Sequence, residues 1–337
     1  MRRPLLIAAL LSALPALLWA AGAAALSLEL PIDCPANGLC VIQNYVDRTQ
    51  SGDPRDYACG YLTYPEHNGT DFRVSQRDME RGVPVRAAAD GVVKGFRDGM
   101  PDVSVKKIDR QKIHGREAGN GVRIEHEDGF VTQYSHLRKG SVRVRPGQKV
   151  AAGQIIGLVG MSGNTEFPHL DFAVRKDGQT VCPFTGPAES AACDAEQHPL
   201  WSPAARASPA LAYTPTGILD LGFAEATPET GEEPTSLPRA TALPASAKAI
   251  VFWVALFGVQ AGDVQTLQVV GPDGRIVSRV SQPVQKNQAQ RIAFVGRRLG
   301  DAPPWPTGEY RGEYTLVRPG PAGNSVLLKA SATLLVQ

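Results

Sequence analysis

Short apolar runs separated by glycine-containing turns dominate the chain from Tyr61 to Phe184. The segments VPVRAAADGVVKGF, NGVRIEHEDGFVTQYSHL, SVRVRPGQKV and AAGQIIGLVGMSG each contain strands of a few residues, and DG, NG and PG mark the turns. This pattern predicts a small antiparallel β domain. A polar stretch from Lys94 to Gly121 interrupts it and is expected to be a surface loop over one end of the sheet.

A second set of alternating strands fills residues 249–337. AIVFWVALFGV, DVQTLQVVGPDGRIVSRV, QRIAFVG, TGEYRGEYTLVR and SVLLKASATLLV have the spacing of a sandwich, so we expect an Ig-like C-terminal β-sandwich and an all-β fold class. This part contains no histidine or cysteine and is a poor place for metal or nucleophile chemistry. Residues 199–248, rich in Pro and Ala, are expected to be a linker, although TGILDLGFA within them could be a strand of the sandwich.

The N-terminus has the pattern of a secretory signal peptide. Arg2 and Arg3 precede an apolar run and a stretch of small residues, which predicts a signal peptide over residues 1–25 with cleavage after Ala23 or Ala25. The alternative is an uncleaved anchor, but the apolar run is short for a membrane-spanning helix. We therefore expect an exported protein, periplasmic or secreted, without a membrane span in its mature form.

Export would place the five cysteines in an oxidising compartment, where disulfides form. Three of them, Cys34, Cys40 and Cys59, lie in a lead-in over residues 26–60, and the sequence does not choose a pair among them. Cys182 and Cys193 bracket a short segment containing Pro and Gly, so a disulfide between these two is the first expectation. Two bridges and one unpaired thiol are the simplest arrangement.

Acidic and basic residues nearly cancel, with 35 Lys and Arg against 33 Asp and Glu. This balance gives no strong basic field, so we expect no nucleic acid partner. The glycine-bearing stretch GQKVAAGQIIGLVG lacks the Lys-Ser/Thr of phosphate-binding loops, so we expect no nucleotide site there.

Imidazoles and carboxylates are paired at two places in the first domain. His67 and Asp71 lie four residues apart in HNGTD, where a glycine lets the turn direct both side chains at one centre. His169 and Asp171 lie two apart in the strand-like run PHLDFAV and so share one face, while His136 lies in YSHL. Such N and O ligands suit zinc, and three protein ligands plus a water are typical of catalytic zinc sites.

The motifs HNGTD, GVPVRAAADGVV, GNGVRIEHEDGFVTQYSHL, VRPGQKVAAGQIIGLVGMSGN and PHLDFAV stand in an order that resembles the LytM-type zinc endopeptidases of the M23 peptidase family. The resemblance implies a small antiparallel β fold with a groove, one Zn²⁺ ion and cleavage of peptide cross-bridges in bacterial peptidoglycan. By motif, His67 and Asp71 match the family's first two zinc ligands. His136 and His169 match its two non-ligand histidines, which assist the metal-bound water and the oxyanion.

The third ligand departs from the family pattern. The family's closing motif reads His-x-His, whereas this chain has His169-Leu170-Asp171, which places Asp171 at the zinc position. Aspartate binds zinc, but a second carboxylate lowers the formal charge of the site from +1 to neutral and makes the metal a weaker Lewis acid. We therefore expect slower hydrolysis, or a higher pH optimum, than a histidine at this position would give.

The peptidase-like domain is predicted to cover residues 61–198, and three functional hypotheses follow. The first is an exported zinc metalloendopeptidase acting on peptidoglycan peptides. The second is a catalytically degenerate module that binds cell-wall peptides or activates a partner hydrolase, and the third is a zinc peptidase acting on proteins. The sandwich would target the enzyme or bind a partner protein. Tyr134 is expected to line the groove, with a half-buried sheet aromatic as the alternative.

Overall fold

The computed structural model describes residues 26–49, 52–187, 197–229, 231–321 and 323–337. The predicted signal peptide and Cys193 lie outside these ranges. Strands dominate the described residues and nearly all of them pair antiparallel, so the all-β prediction is confirmed. No helix in the described ranges is long and apolar enough to cross a membrane.

The first half of the chain forms one large sheet and one small sheet. Their strands are β1 (Cys40–Asn44), β2 (Thr70–Val74), β3 (Pro84–Arg86), β4 (Gly91–Arg97), β5 (Asn120–Glu125), β6 (Phe130–Leu137), β7 (Lys149–Val150), β8 (Ile155–Leu158), β9 (His169–Lys176) and β10 (Gln179–Val181). The large sheet has the order β1-β2-β9-β6-β5-β4-β7, with β10 paired to β9, and β3 pairs with β8. A short helix, α1 (Gln76–Arg81), follows β2.

The two faces of the large sheet differ in chemistry because alternate residues of a strand point to opposite sides. One face carries large apolar side chains that form the core of this half, namely Phe72, Val122, Tyr134, Leu170 and Phe172. None of these five side chains exposes more than 1% of its surface. The residues between them in the sequence therefore lie on the opposite, polar face.

The predicted surface loop is shorter than the sequence pattern indicated. Its first and last residues belong to β4 and β5, and the part between them contains two short 3-10 helices, Val105–Lys107 and Arg110–Ile113. This part bonds to the loop before β9, because Val105 N–H donates to the Thr165 carbonyl and Asn164 N–H donates to the Glu117 carbonyl. The insertion therefore braces that loop.

Two facing sheets form the C-terminal half, as predicted. The strands are β11 (Gly217–Ala224), β12 (Ala242–Leu243), β13 (Ala249–Val259), β14 (Val264–Val270), β15 (Ile276–Pro283), β16 (Gln288–Arg298), β17 (Gly308–Gly320) and β18 (Gly323–Val336). One sheet has the order β11-β13-β16 and the other β12-β18-β17-β14-β15. A continuous apolar core lies between them.

The prediction of a linker over residues 199–248 is wrong for its described part. This stretch contains helix α2 (Pro203–Arg206), 3-10 helices at Pro209–Leu211 and Pro234–Ser236, and the strands β11 and β12. The composition was misleading because prolines occupy the first turns of these three helices, where a missing N–H costs nothing. The possible strand in TGILDLGFA is β11, which pairs with β13.

Strand β13 joins the two halves because both of its faces are buried. Phe252, Val254 and Leu256 point into the core of the sandwich. Trp253 and Phe257, which alternate with them, belong to the core of the first half. The apolar cores of the two halves of the molecule therefore meet at this strand.

Two cysteines of the lead-in pair with each other. Cys34 and Cys40 form a disulfide, and Cys59 is also disulfide-bonded. Cys182 is a buried free thiol, so the expected disulfide between it and Cys193 is wrong. The physical reason is that the Cys182 side chain packs in the apolar core of the first half.

Candidate active site

The polar face of the large sheet brings together residues that the sequence singled out. The register between β2 and β9 places Asp71 opposite Asp171 and Arg73 opposite His169. The register between β6 and β9 places Ser135 opposite Asp171. Residues directly opposite in antiparallel strands share a face, with Cβ atoms about 4.5–5.5 Å apart. Two carboxylates therefore face each other across neighbouring strands.

Asp71 lies at the centre of this group. Its Oδ1 is 3.4 Å from His67 Nε2 and 3.5 Å from His169 Nε2. Its Oδ2 accepts a hydrogen bond from Asn44 Nδ2 at 2.8 Å. Because Asn44 uses Oδ2, Oδ1 is left to face the imidazoles. His67, Asp71 and His169 expose only 7%, 3% and 5% of their surface.

A glycine makes room for Asp171 in this arrangement. A Cβ atom at Gly69 would lie 1.8 Å from Asp171 Oδ1, a distance that no real contact allows. Only glycine therefore lets the loop between His67 and Asp71 pass this close to the opposite carboxylate.

The two carboxylates respond differently to being buried together. Burial raises the pKa of Asp71, but the adjacent His67 and His169 outweigh it, and the net pKa lies well below its usual range. Burial raises the pKa of Asp171, and the charge of Asp71 raises it further. For His67, burial lowers the pKa, but the two carboxylates more than compensate and the net shift is upward. These shifts together favour an ionised Asp71 carboxylate with a positively charged group beside it.

His136 and His169 are each held by a hydrogen bond from ring Nδ1 to a backbone carbonyl oxygen. His136 Nδ1 lies 2.6 Å from the Ser162 carbonyl oxygen, and His169 Nδ1 lies 2.9 Å from that of Phe167. A carbonyl oxygen only accepts, so each Nδ1 carries a proton and donates it, which leaves Nε2 as the nitrogen directed away from the carbonyl. The ring centroids are 4.7 Å apart. Burial, followed by repulsion from His169, lowers the pKa of His136 to about 3, so this ring is neutral at neutral pH.

A β-bulge directs His136 toward this face. The register between β5 and β6 shifts between Asn120–Leu137 and Val122–Tyr134, which leaves one extra residue in β6. His136 takes up the bulge with φ of 61°, a left-handed conformation that is costly for a residue with a Cβ atom.

The bulge also explains why the prediction for Tyr134 is wrong. Strict alternation would put Tyr134 and His136 on the same face, but the extra residue breaks it. Tyr134 is fully buried in the core, and its hydroxyl accepts a hydrogen bond from the Ala88 N–H at 2.7 Å. Its neighbours Gln133 and Ser135 point to the polar face instead and line the groove.

A groove continues from the site across β6, β5 and β4. It contains a cavity of about 290 Å³ next to Ser135. Its lining includes Gly95, Phe96, Arg97, Arg123, Gln133 and Ser135. The cavity lies on the same face as the carboxylates, because Arg123 is opposite Gln133 and Ser135 is opposite Asp171.

Three atoms of the site are buried without a hydrogen-bond partner, namely His67 Nε2, Asp71 Oδ1 and Asp171 Oδ1. Each such atom costs about 1–3 kcal/mol if it stays unpaired. One imidazole nitrogen and two carboxylate oxygens form a donor set suited to zinc. The separation of 3.4 Å between His67 Nε2 and Asp71 Oδ1 also equals the ligand spacing of a tetrahedral site with bonds of about 2.0–2.1 Å.

Across the described ranges, no group of three or more His, Cys, Asp or Glu side chains is already drawn together as a metal site. Ligand side chains close around an ion when it binds, so the unpartnered atoms define the donor set better than their present spacing does. His67, Asp71 and Asp171 could therefore hold a divalent cation.

Sequence reasoning missed three residues of this site. Asn44 comes from the cysteine-containing lead-in, Arg73 from the strand that carries Asp71, and Tyr64 stacks its ring on His67 at 4.3 Å. Tyr64 precedes His67 by only three residues and could have been considered from its position. Asn44 has no comparable signal, because its contact with Asp71 joins residues 27 positions apart.

Comparisons with known proteins agree with the resemblance seen in the sequence. Residues 65–183 match the family model described as Peptidase family M23. The DD-carboxypeptidase/endopeptidase Mpg of Neisseria meningitidis is 35% identical over 125 residues, covering 36% of this chain and 23% of Mpg. The peptidoglycan DD-endopeptidase ShyA of Vibrio cholerae is 37% identical over 115 residues, covering 34% of this chain and 21% of ShyA.

A third relative is named for cell division and not for a peptidase activity. The cell division protein DipM of Caulobacter vibrioides is 31% identical over 113 residues, covering 34% of this chain and 15% of DipM. The chain spans less than a quarter of the length of each of these relatives. The similarity is therefore confined to one domain.

Proposed function

We propose that the chain, whose residues 65–183 form a domain of peptidase family M23, is an exported zinc-dependent endopeptidase of bacterial peptidoglycan. The observation that carries this proposal is the set of unpartnered buried atoms on His67, Asp71 and Asp171. His136 and His169 lie beside them at the head of a groove. The name of ShyA supports peptide bonds of peptidoglycan as the substrate, and the name of Mpg supports endopeptidase activity.

The metal would be held by His67, Asp71 and Asp171. When bound, a zinc ion would polarise the scissile carbonyl group and lower the pKa of a water molecule. The two carboxylates would together balance both positive charges of the ion. We therefore propose a less acidic metal centre, and slower turnover, than one with a second imidazole in place of Asp171.

His136 and His169 would move the protons. Because Nδ1 of each ring donates to a carbonyl oxygen, Nε2 is the nitrogen of each ring that would exchange a proton. A ring that takes a proton from the attacking water would then carry an Nε2–H, which would donate a hydrogen bond to the oxyanion and finally pass that proton to the leaving amine nitrogen. The carbonyl partners on Ser162 and Phe167 hold both rings in the tautomer that this task needs.

Export is supported by the cysteines as well as by the N-terminal pattern. The Cys34–Cys40 disulfide is stable in an oxidising compartment such as a periplasm or the cell exterior. Peptidoglycan lies in the same compartments, so substrate and enzyme would meet there.

Digestion of purified peptidoglycan tests this function. The wild-type chain, supplied with zinc, should release peptide fragments that mass spectrometry identifies, His67→Ala should release none, and Asp171→His should work faster. Casein serves as the control substrate and should stay intact. If only Asp171→His releases fragments, the natural chain is a binding module; cleavage of casein with indifference to peptidoglycan would point to a peptidase of proteins.

A further inference from the structure

A fully buried arginine lies on the polar face beside the proposed metal site. Arg73 is two residues beyond Asp71 on β2 and opposite His169 on β9, and none of its surface is exposed. Its Nη1 donates to Gln43 Oε1 at 2.5 Å and to Gln290 Oε1 at 2.6 Å. Its Nη2 forms an ion pair with Glu233.

One aromatic ring separates this arginine from the histidines. The Arg73 guanidinium lies over the Phe167 ring, 4.3 Å from its centroid. The Phe167 and His169 ring centroids are 4.8 Å apart. The Arg73 charge is therefore within the reach of a short peptide that has its scissile bond at the site.

The groove is open on one side of the site and covered on the other. Toward β4 and β5 it contains the cavity described above. Toward β2 it is covered by Glu233, in the segment of residues 231–237, and by Gln290 of β16. A polymeric substrate extends on both sides of the bond that is cut, so on the covered side a substrate carboxylate would compete with Glu233 for Arg73.

We propose that Arg73 is the carboxylate-binding residue of the substrate groove, and that Glu233 fills this position as an internal substitute until a substrate carboxylate displaces it. This inference rests on the proposed function. A carboxylate from Glu233 and an amide oxygen from Gln290 meet on one guanidinium, and these are the groups that the end of a peptide presents. The preferred substrates are peptides with a free carboxylate near the scissile bond.

Polar contacts that can be exchanged hold the covering segment at Glu233, whereas Leu237 at its end is buried in the core of the first half. The Thr235 hydroxyl donates to Glu233 Oε2 at 2.5 Å and accepts from the Gln76 N–H at 2.7 Å. A tethered group competes at an effective concentration on the order of millimolar. Substrates that bind only weakly through their carboxylate are therefore excluded, whereas a peptide that also fills the groove can displace the segment.

Peptide binding to the full-length, metal-free chain tests the inference without hydrolysis. The probes are a fluorescent peptidoglycan stem peptide with a free C-terminal carboxylate and the same peptide as its C-terminal amide, measured by fluorescence anisotropy. Glu233→Gln should bind the carboxylate peptide at least about tenfold more tightly than wild type and leave binding of the amide unchanged. The exposed neighbour Glu232 gives the matched control, Glu232→Gln, which should bind like wild type.

Adding Arg73→Gln to Glu233→Gln should abolish the gain. Equal binding by Glu233→Gln and wild type, or an equal gain for the amide, would overturn the inference. If Glu233→Gln does not fold, as circular dichroism would show, Thr235→Val weakens the same contact and should give a smaller gain of the same sign. A binding gain without any digestion of peptidoglycan would refute the proposed function alone, and digestion without a binding gain would refute this inference alone.

Discussion

Asp71 and Asp171 face each other from neighbouring strands, and their unpartnered oxygens lie in the same buried space. Like charges directly opposite in a sheet destabilise it unless a cation or a proton lies between them. The raised pKa of Asp171 is the metal-free response to this arrangement, because a proton lowers the repulsion. A divalent cation bound by both carboxylates would also lower the repulsion between them.

Gly69 provides a test of how tightly this pair is positioned. In Gly69→Ala the new Cβ atom would displace the Asp171 carboxylate, so we expect zinc affinity to fall by at least about tenfold. Competition with a fluorescent zinc chelator measures this affinity. Gly95→Ala is the matched control, because a Cβ atom there meets nothing within 4 Å, and it should bind zinc like wild type. Equal affinity in both variants would contradict the proposed position of Asp171.

Asn44 is expected to orient Asp71 by holding its Oδ2. Partners of metal ligands are typically worth about 10- to 100-fold in metal affinity. We therefore expect Asn44→Ala to bind zinc about 10- to 100-fold more weakly while remaining folded, as isothermal titration calorimetry would measure. Asn324→Ala, at an exposed hairpin position, is the control and should show no change. Wild-type affinity in Asn44→Ala would mean that Asp71 needs no such support.

The sequence predicted the residues that belong to contiguous motifs and missed those that arrive from elsewhere. His67, Asp71, His169 and Asp171 could be found because spacing within one loop or one strand fixes which side chains share a face. Arg73 lies in the same strand, but its partners Glu233 and Gln290 are 160 and 217 residues away. Nothing local to the sequence indicates such contacts.

At the scale of single elements, the bulge in β6 decides which side chains reach the site. Period-two alternation predicts a regular strand, and a single inserted residue reverses every assignment beyond it. This is why the face of Tyr134 could not be predicted from its distance to His136. The left-handed backbone conformation of His136 is energetically unfavourable, and it directs the His136 ring toward the groove.

Stability measurements can detect this strain. Because glycine adopts positive φ freely, we expect His136→Gly to be more stable than His136→Ala by about 1 kcal/mol. Urea unfolding of the two variants, followed by tryptophan fluorescence, measures the difference. In a regular strand the order would be reversed, because glycine is less favourable there than alanine. An alanine variant as stable as the glycine variant would therefore contradict the bulge.

At the scale of the whole molecule, β13 makes the two halves one folding unit. The sequence predicted the sandwich from its alternating strands but separated it from the first domain by a linker. It could not indicate that both faces of β13 are buried, since a continuous apolar strand is equally expected in the core of a sandwich. The shared core explains how Gln290 of the sandwich comes to contact Arg73.

Trp253 tests this shared core. Its side chain is fully buried against the first half, and its Nε1 donates to the Pro238 carbonyl at 3.0 Å. We expect Trp253→Ala to lose about 3–5 kcal/mol of unfolding free energy, with one calorimetric transition that moves as a whole. Two separate transitions, of which only one moves, would show that the halves fold independently.

The zinc content of the purified, folded chain tests the central claim most directly. Inductively coupled plasma mass spectrometry after dialysis against limiting free zinc should find one ion per chain in wild type and none in His67→Ala or Asp71→Ala. His126→Ala, which changes a histidine bonded to Asp90 and Thr132 away from this group, should keep its zinc. A folded wild-type chain without zinc, or equal zinc in all four proteins, would contradict the metal site formed by His67, Asp71 and Asp171.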